Sequence, residues 1–433
     1  MTETLTPTPR PRLRTAWPWI VAGTAFLTLV AAAGFRSVPG VLMEPLDAEF
    51  GWGHGVIGLA VSVNLVLFGL FAPFAAALME RFGVRRVAAV ALLAISLGSG
   101  AAIFVTEAWQ LILLWGLVVG LGSGAMALSF AAMITGRWFV HRAGLVSGVL
   151  TAGSSTGQLI FLPLLSQLNA WFGWRSAATA SAAAALLALV VVLVGLRDRP
   201  SDVGTVPYGA PADHEPPAAP AQGSLQRAFS VLRTASRRST FWLLVGGFAI
   251  CGMTTNGLVQ THFVSAAHDH GMPQTAAAGL LALVGIFDIV GTIASGWFSD
   301  RFDPRLLLLI YYVLRGLSLF ALPGLFAPQV EPPMWAFIVF YGLDWVATVP
   351  PTLALCRKEL GAAAPIAFGW IFASHQLGAA IAATGAGLIR DQTGDYRTAW
   401  WIAGALCLLA ALFSIMIGRL RRGQPAGVTS RLS

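Results

Sequence analysis

The chain consists mainly of long apolar blocks separated by short polar loops, and this pattern constrains its fold more than any other feature. Hydrophobic residues make up 56% of the 433 positions and charged residues only 11%, whereas soluble domains carry about 25% charged residues. A helix needs about 20 apolar residues to cross the bilayer core. We therefore predict an all-α membrane protein with twelve transmembrane helices, at residues 16–38, 54–79, 86–106, 109–135, 143–168, 175–196, 240–266, 275–299, 305–327, 333–355, 364–390 and 397–418.

The basic residues predict how this bundle is oriented in the lipid bilayer. Of the 27 Lys and Arg residues, 22 fall on the side shared by both termini and three on the opposite side. Since basic loops stay in the cytoplasm, we expect both termini there. The net charge of +8 therefore reflects membrane topology, and we expect no nucleic-acid partner. The 26 arginines against one lysine suggest a GC-rich bacterial genome, and hence a multi-pass protein of the inner membrane.

A polar segment divides the chain into two pseudo-symmetric six-helix bundles. Six prolines lie within residues 197–238, and such a polar composition cannot bury enough apolar surface to fold, which predicts a flexible linker. The predicted units are a cytoplasmic tail at 1–15, a six-helix bundle at 16–196, a cytoplasmic linker at 197–239, a second six-helix bundle at 240–418 and a cytoplasmic tail at 419–433.

Two short motifs recur at nearly the same offset in the two halves. An acid–arginine pair follows span two as Glu80–Arg81 and follows span eight as Asp300–Arg301, 220 residues later. A second arginine precedes span six as Arg175 and span twelve as Arg397, 222 residues later. Matched offsets of this kind indicate an internal duplication.

The loop from Gly296 to Arg305, with Gly296 four residues before Asp300 and Arg301, resembles the signature loop of the major facilitator superfamily. That family has repeated six-helix halves, and the resemblance covers essentially the whole chain. It implies a gate in which the small residue lets helices touch, with Asp300 and Glu80 latching the outward-facing state beside Arg301 and Arg81. The alternative is that both loops are only basic anchors of the topology.

A narrower resemblance lies in spans one and eight. Arg36, in the stretch GFRSVPGVL, and Asp288, in the stretch FDIV, resemble residues of the monocarboxylate porters and the oxalate/formate antiporters. The porters carry an arginine where this chain has Thr292, and the oxalate exchangers carry a lysine in helix eleven, where this span offers His375. The resemblance implies a monomeric secondary transporter that moves a small organic anion, a monocarboxylate, with protons by alternating access. The alternatives are an organic anion exchanger, an exporter of another small solute, a transporter-like receptor, or a membrane hydrolase using Ser or His.

Four charged residues lie well within the predicted spans: Arg36, Asp288, Arg315 and Asp344. At ~1.5 Å of rise per residue, the last three lie near the middle of the membrane. An unpaired charge there costs at least ~2.5 to 3.5 kcal/mol, so we expect Arg315 to neutralise Asp344, Asp288 or both. Two alternatives stay open: the three couple transport to protons, or Arg315 and Asp344 form a permanent clamp. Arg36 is expected either to attract substrate or to anchor the outer leaflet.

Neutral polar residues within the spans are further candidates for substrate binding. We expect His262, His375, Asn64 and Tyr341 to bind substrate, although either histidine could instead tie two helices together. The pairs of glycines four apart, at 116 and 120 and at 153 and 157, predict close helix packing. The sequence has no phosphate-binding Gly-Lys-Ser/Thr loop and no metal-spaced His/Cys cluster, so we expect no cofactor, no metal and no enzymatic activity.

Overall fold

The computed structural model describes residues 12–211 and 223–417, and helices cover every predicted span within them. In the first half, spans one to three are α1 (Arg12–Phe50), α2 (Gly53–Phe82) and α3 (Val84–Ala101), span four comprises α4 (Ala108–Leu111), α5 (Gly120–Ala125) and α6 (Leu128–Trp138), and spans five and six are α7 (Ala143–Phe172) and α8 (Trp174–Gly195). A π-helical segment, Ile112–Val119, joins α4 to α5.

The second half follows a further helix, α9 (Ser224–Ala235), which lies in the predicted linker. Its spans seven to twelve are α10 (Ser239–Gly252) with α11 (Gln260–Asp269), α12 (Gln274–Ser299), α13 (Pro304–Ala321), α14 (Pro332–Asp344) with α15 (Val349–Leu360), α16 (Ala364–Thr393) and α17 (Arg397–Met416). A second π-helical segment, Met253–Val259, joins α10 to α11.

Twelve crossings follow from the lengths of the apolar segments. In the part of the chain that the structure describes, eleven helical segments are long and apolar enough to span a membrane. One of them, Pro332–Arg390, has 59 residues, whereas a single crossing takes about 20. It contains spans ten and eleven, so the described residues hold the twelve predicted spans. We call the face where α1 begins and α17 ends the terminus side, and the opposite face the far side.

Within the described residues, the two halves meet mainly through spans five with eight and two with eleven, with smaller contacts of span four with eleven and five with ten. The two main pairs are equivalent under the internal duplication, which relates span two to eight and span five to eleven. Glycines permit the close approach: a Cβ atom on Gly148 would lie 2.7 Å from the Thr292 carbonyl oxygen, and one on Gly369 would lie 2.7 Å from the Pro73 backbone. Both contacts are on the terminus side of the middle of their spans, so the halves are packed together there.

The glycine pairs predicted to mark helix packing do so. A Cβ atom on Gly116 would lie 3.1 Å from the Ala60 carbonyl oxygen of span two. One on Gly157 would lie 2.2 Å from the Val30 carbonyl oxygen of span one. These glycines therefore set how closely spans four and five approach their neighbours.

The predicted linker contains more structure than its composition suggested, because α9 is amphipathic. Ala228, Val231 and Ala235 recur at intervals of three and four residues and are buried, so one face of the helix packs on spans two and eleven. The average composition of residues 197–238 hid this short apolar stripe. The described part of the predicted flexible linker therefore includes a packed helix that the composition of the segment did not predict.

Candidate functional site

A cavity of about 430 Å³ lies between the two halves. Spans two, four and five form one wall, and spans seven, eight, ten and eleven form the other. Its polar lining residues are Thr151, Ser154, Ser155, Gln158, Thr255, Asn256, Gln260, Asp288, His375 and Gln376. Span eight contributes residues from its middle and its far-side half, so the cavity extends from the middle of the membrane toward the far side.

Asp288 of span eight is the formally charged residue among the described side chains that line this cavity. Its Oδ1 accepts hydrogen bonds from Thr292 Oγ1 at 2.8 Å and from the Val346 backbone N–H at 3.0 Å. Its Oδ2 accepts one from the hydroxyl of Ser155, which belongs to the other half. Asp288 is 1% exposed. Neutral donors from both halves therefore hold this carboxylate, and no cationic side chain among the described ones donates to it.

The break in span ten supplies one of these donors. Helix α14 ends at Asp344 and α15 begins at Val349, so the Val346 N–H is free to donate outside the helix. Pro351 cannot donate to the carbonyl four residues earlier, and Ser295 of span eight donates to that Ala347 carbonyl at 2.5 Å. The irregular backbone of span ten thus lies against span eight and the cavity.

Arg315 of span nine pairs with Asp344 and not with Asp288. Its Nε lies 2.5 Å from Asp344 Oδ2, and its Nη2 donates to the carbonyl oxygens of Asp344 at 2.6 Å and Trp345 at 3.1 Å. The arginine is fully buried and Asp344 is 5% exposed. Because Arg315 also caps the end of α14, the geometry supports the clamp alternative for this pair.

Cys251 of span seven lies between this ion pair and the cavity. Its Sγ accepts a hydrogen bond from Arg315 Nη1 at 3.1 Å and lies 3.3 Å from Thr348 Oγ1, and the residue also lines the cavity. The clamp therefore reaches the cavity wall through a thiol rather than through a guanidinium group.

His375 of span eleven lines the same cavity as Asp288. Its ring centroid lies 5.0 Å from that of Phe248 and 5.9 Å from that of Phe372. The two aromatic rings fix the orientation of the imidazole. Its Nδ1 is buried without a hydrogen-bond partner among the described residues, so a solute would reach this nitrogen only if the side chain moved.

Two predicted substrate-binding residues instead tie helices together. The Asn64 side chain donates to the Trp115 carbonyl oxygen at 2.8 Å, which joins span two to span four. Tyr341 donates to the Thr254 carbonyl oxygen at 2.7 Å, which joins span ten to the π-helical segment of span seven. Neither residue lines the cavity.

His262 also stays outside the described cavity lining. The Nε2 of His262 lies 2.8 Å from the Ala383 carbonyl oxygen, and its Nδ1 lies 3.2 Å from the Tyr396 hydroxyl. His262 therefore joins neighbouring helices, which is the structural role that the sequence analysis gave as the alternative to substrate binding. Arg36 belongs to α1, and its side chain lies outside the described residues.

On the terminus side, Asp300 joins the two halves. Its Oδ1 accepts from the Gly144 backbone N–H at 2.7 Å and its Oδ2 from the Leu145 N–H at 2.9 Å. These are free amides at the start of span five, where a carboxylate is favourable. Gly296 fits against the same turn, since its Cβ atom would lie 2.5 Å from the Gly144 carbonyl oxygen. Arg301 lies over the Trp297 ring, 3.7 Å from its centroid.

Glu80, the first-half counterpart of Asp300, has a different partner. It forms an ion pair with Arg227 of α9 at 3.1 Å, while Arg81 lies 5.1 Å from the Phe82 ring centroid. The second acid–arginine loop thus contacts the other half directly, and the first one contacts the linker helix.

Sequence reasoning missed three parts of the cavity wall. Ser155 could have been found, because Ser154, Ser155 and Thr156 form a run of hydroxyls in an apolar span. Cys251 gave no such signal, since a lone cysteine among apolar residues is typical of a core. The Val346 amide depends on the break in span ten and not on a side chain.

Comparisons with known proteins agree with this architecture. The family model described as Major Facilitator Superfamily matches residues 24–365, more than half of the chain. Human monocarboxylate transporter 11 is 27% identical over 436 residues, covering 96% of this chain and 86% of that protein. An uncharacterised MFS-type transporter of Bacillus subtilis, YcxA, is 25% identical over 409 residues, covering 92% of this chain and 94% of that protein.

A solved structure shares the fold. The fucose:proton symporter FucP of E. coli superposes with a TM-score of 0.67 at 16% identity, covering 92% of this chain and 99% of that chain. The predicted twelve-helix fold is confirmed by this likeness, and the predicted family by the match over residues 24–365. The chain belongs to the major facilitator superfamily, and the protein is a membrane transporter rather than an enzyme.

Proposed function

We propose that the protein moves a small organic anion, a monocarboxylate, together with a proton by alternating access to the cavity between its halves. The observation that carries the proposal is the Asp288 carboxylate, which lines this cavity and is bonded to both halves. Relatives named monocarboxylate transporters support the substrate class.

Asp288 is the group that would carry the proton. Ionisable residues within membrane spans are expensive and are typical of proton pathways. A serine hydroxyl can donate to an ionised carboxylate and can accept from a protonated one, so Ser155 can bond to Asp288 in both states. Separation of the two halves at the level of Asp288 would break this bond, which would couple the protonation of Asp288 to the conformational change.

Protonation of Asp288 would also prepare the cavity for an anion. An ionised Asp288 repels a carboxylate, whereas a protonated one carries no charge and offers a donor. His375 and the amide side chains of Asn256 and Gln260, which line the same cavity, offer further hydrogen bonds. Arg36 would attract the anion from the far side, as its place in span one suggests.

The proposal is tested with purified protein in proteoliposomes. Labelled pyruvate and phenylpyruvate are suitable solutes, because they share a 2-oxo acid group that stays ionised at neutral pH. We expect an imposed proton gradient to drive the net uptake of at least one of them against its concentration gradient. The control is the loop variant Asp202→Asn, whose side chain accepts a hydrogen bond from the Arg199 backbone N–H and does not line the cavity.

Other outcomes identify the alternative functions. Exchange of internal for external acid without any response to the proton gradient would indicate an anion exchanger. Binding without flux would indicate a receptor. Either result would contradict proton-coupled transport.

A further inference from the structure

The cavity is large for a short-chain acid. Its volume is about 430 Å³, far more than one water molecule needs. This volume lies within the range of about 300–1,000 Å³ that is typical of pockets for drug-sized ligands. An acid of two or three carbons would leave most of this space filled with water.

The wall of the cavity is also mainly apolar and aromatic. Phe68, Phe248 and Phe372 line it from spans two, seven and eleven, and Trp345 lines it from span ten. Phe68 and Phe372 meet edge to face with their ring centroids 5.3 Å apart. Such rings gain little from a small ionised acid, but they favour an aromatic or aliphatic body.

Polar groups are available for one charged end of a solute. Asp288 and Ser155 are bonded to each other across the halves, and the imidazole of His375 is held between two phenylalanine rings of the same wall. The described lining contains no lysine or arginine. A solute with a single acid group and an otherwise apolar body matches this distribution.

We propose that the cavity selects a bulky aromatic or long-chain monocarboxylate rather than a two- or three-carbon acid. This inference rests on the proposed function, because it assumes that the cavity binds the transported acid. The carboxylate lies near His375 and the protonated Asp288, and the apolar body displaces water from the phenylalanine-lined part of the cavity.

The gain expected from the apolar body follows from the free energy of burying it. Each methylene group moved out of water tightens binding about fourfold. Burial of a phenyl group should therefore tighten binding at least about tenfold. Phenylpyruvate should bind at least about tenfold more tightly than pyruvate, which has the same acid group.

Gly285 of span eight offers a way to fill the cavity. It lines the cavity, and a Cβ atom built on it would meet nothing within 4 Å. The change Gly285→Leu therefore adds volume to the cavity without a clash at the backbone. Gly279, on the same helix, is exposed, also has nothing within 4 Å and does not line the cavity. The change Gly279→Leu is thus the matched control.

The experiment measures the binding of the two acids to each purified protein. The acid concentration needed to raise the melting temperature reports the affinity of the protein for that acid, because a ligand of the folded state stabilises it by mass action. The same melting curves show whether each variant is folded. We expect the tenfold preference for phenylpyruvate in the unmodified protein and in Gly279→Leu, and a loss of most of it in Gly285→Leu.

Three results would overturn the inference. Pyruvate could bind as tightly as phenylpyruvate, or Gly285→Leu could weaken the binding of both acids by the same factor. Either result contradicts selection by size while leaving proton-coupled transport intact. If neither acid binds and neither is transported, the inference fails together with the proposed function.

Discussion

Loss of one member of the buried ion pair should destabilise the second half more than loss of both. The side chains of Arg315 and Asp344 are 0% and 6% exposed. Truncation of one partner leaves the other charged and buried, which typically costs about 3–5 kcal/mol. We therefore expect Asp344→Leu and Arg315→Met each to lower the free energy of unfolding by about this amount.

The double variant Arg315→Met with Asp344→Leu should recover most of the loss. Replacement of a buried ion pair by apolar residues of similar volume is often neutral or stabilising. Arg315 also bonds to the Trp345 carbonyl oxygen and to the Cys251 thiol, and the double variant leaves these groups unpaired. We expect this to retain a cost of about 1–3 kcal/mol.

The assay is unfolding of the purified variants in mixed detergent and dodecyl sulfate, followed by circular dichroism. The double-mutant cycle then gives the coupling energy between the two residues. A double variant less stable than both single variants would refute the account of Arg315 and Asp344 as a clamp. A folded double variant that has lost all proton-driven uptake would show that the pair takes part in coupling.

Three further predictions concern other contacts. Gly148→Ala, whose methyl group would lie 2.7 Å from a carbonyl oxygen of span eight, should weaken the packing of the two halves on the terminus side by about 1–3 kcal/mol. The cysteines of the protein should then react faster with a maleimide added from that side, and an unchanged rate would contradict this. A double-mutant cycle on Glu80 and Arg227, which are 3.1 Å apart, should give a coupling energy of about 1 kcal/mol in unfolding measurements, and zero coupling would exclude a stabilising role for α9 through this pair. A hydrogen bond from Arg175 lowers the pKa of Glu49 below its ordinary value, so this contact stabilises the fold above that ordinary pKa and is lost as the pH falls; Glu49→Gln should remove that part of the acid dependence of thermal unfolding.

The sequence predicted the fold because the bilayer leaves few solutions. Twelve apolar blocks and the distribution of arginines define twelve crossings with both ends on one side. The linker helix α9 was not predicted, because no such constraint from the bilayer acts on a polar segment outside it. Ala228, Val231 and Ala235 form a stripe too short to stand out within a polar segment, and the helix depends on packing against spans two and eleven.

The candidate site was predictable only in part. Asp288 was identified because a carboxylate within an apolar span is energetically costly and is typical of a functional site. Its hydrogen-bond partners could not be assigned from the sequence. The sequence left open whether Arg315 neutralises Asp288, Asp344 or both. It pairs with Asp344, because the broken end of α14 offers carbonyl oxygens beside that carboxylate. His262 and Tyr341 carry the same polar groups as His375, and which of them faces a cavity depends on helix rotation.

The most direct test of proton coupling through Asp288 is a simultaneous measurement of proton and acid movement in proteoliposomes loaded with a pH-sensitive dye. In the unmodified protein, uptake of phenylpyruvate should acidify the lumen. In Asp288→Asn, we predict that exchange of internal for external acid continues while net uptake and acidification are lost. Acidification of the lumen during uptake by this variant would contradict the proposal that Asp288 carries the proton.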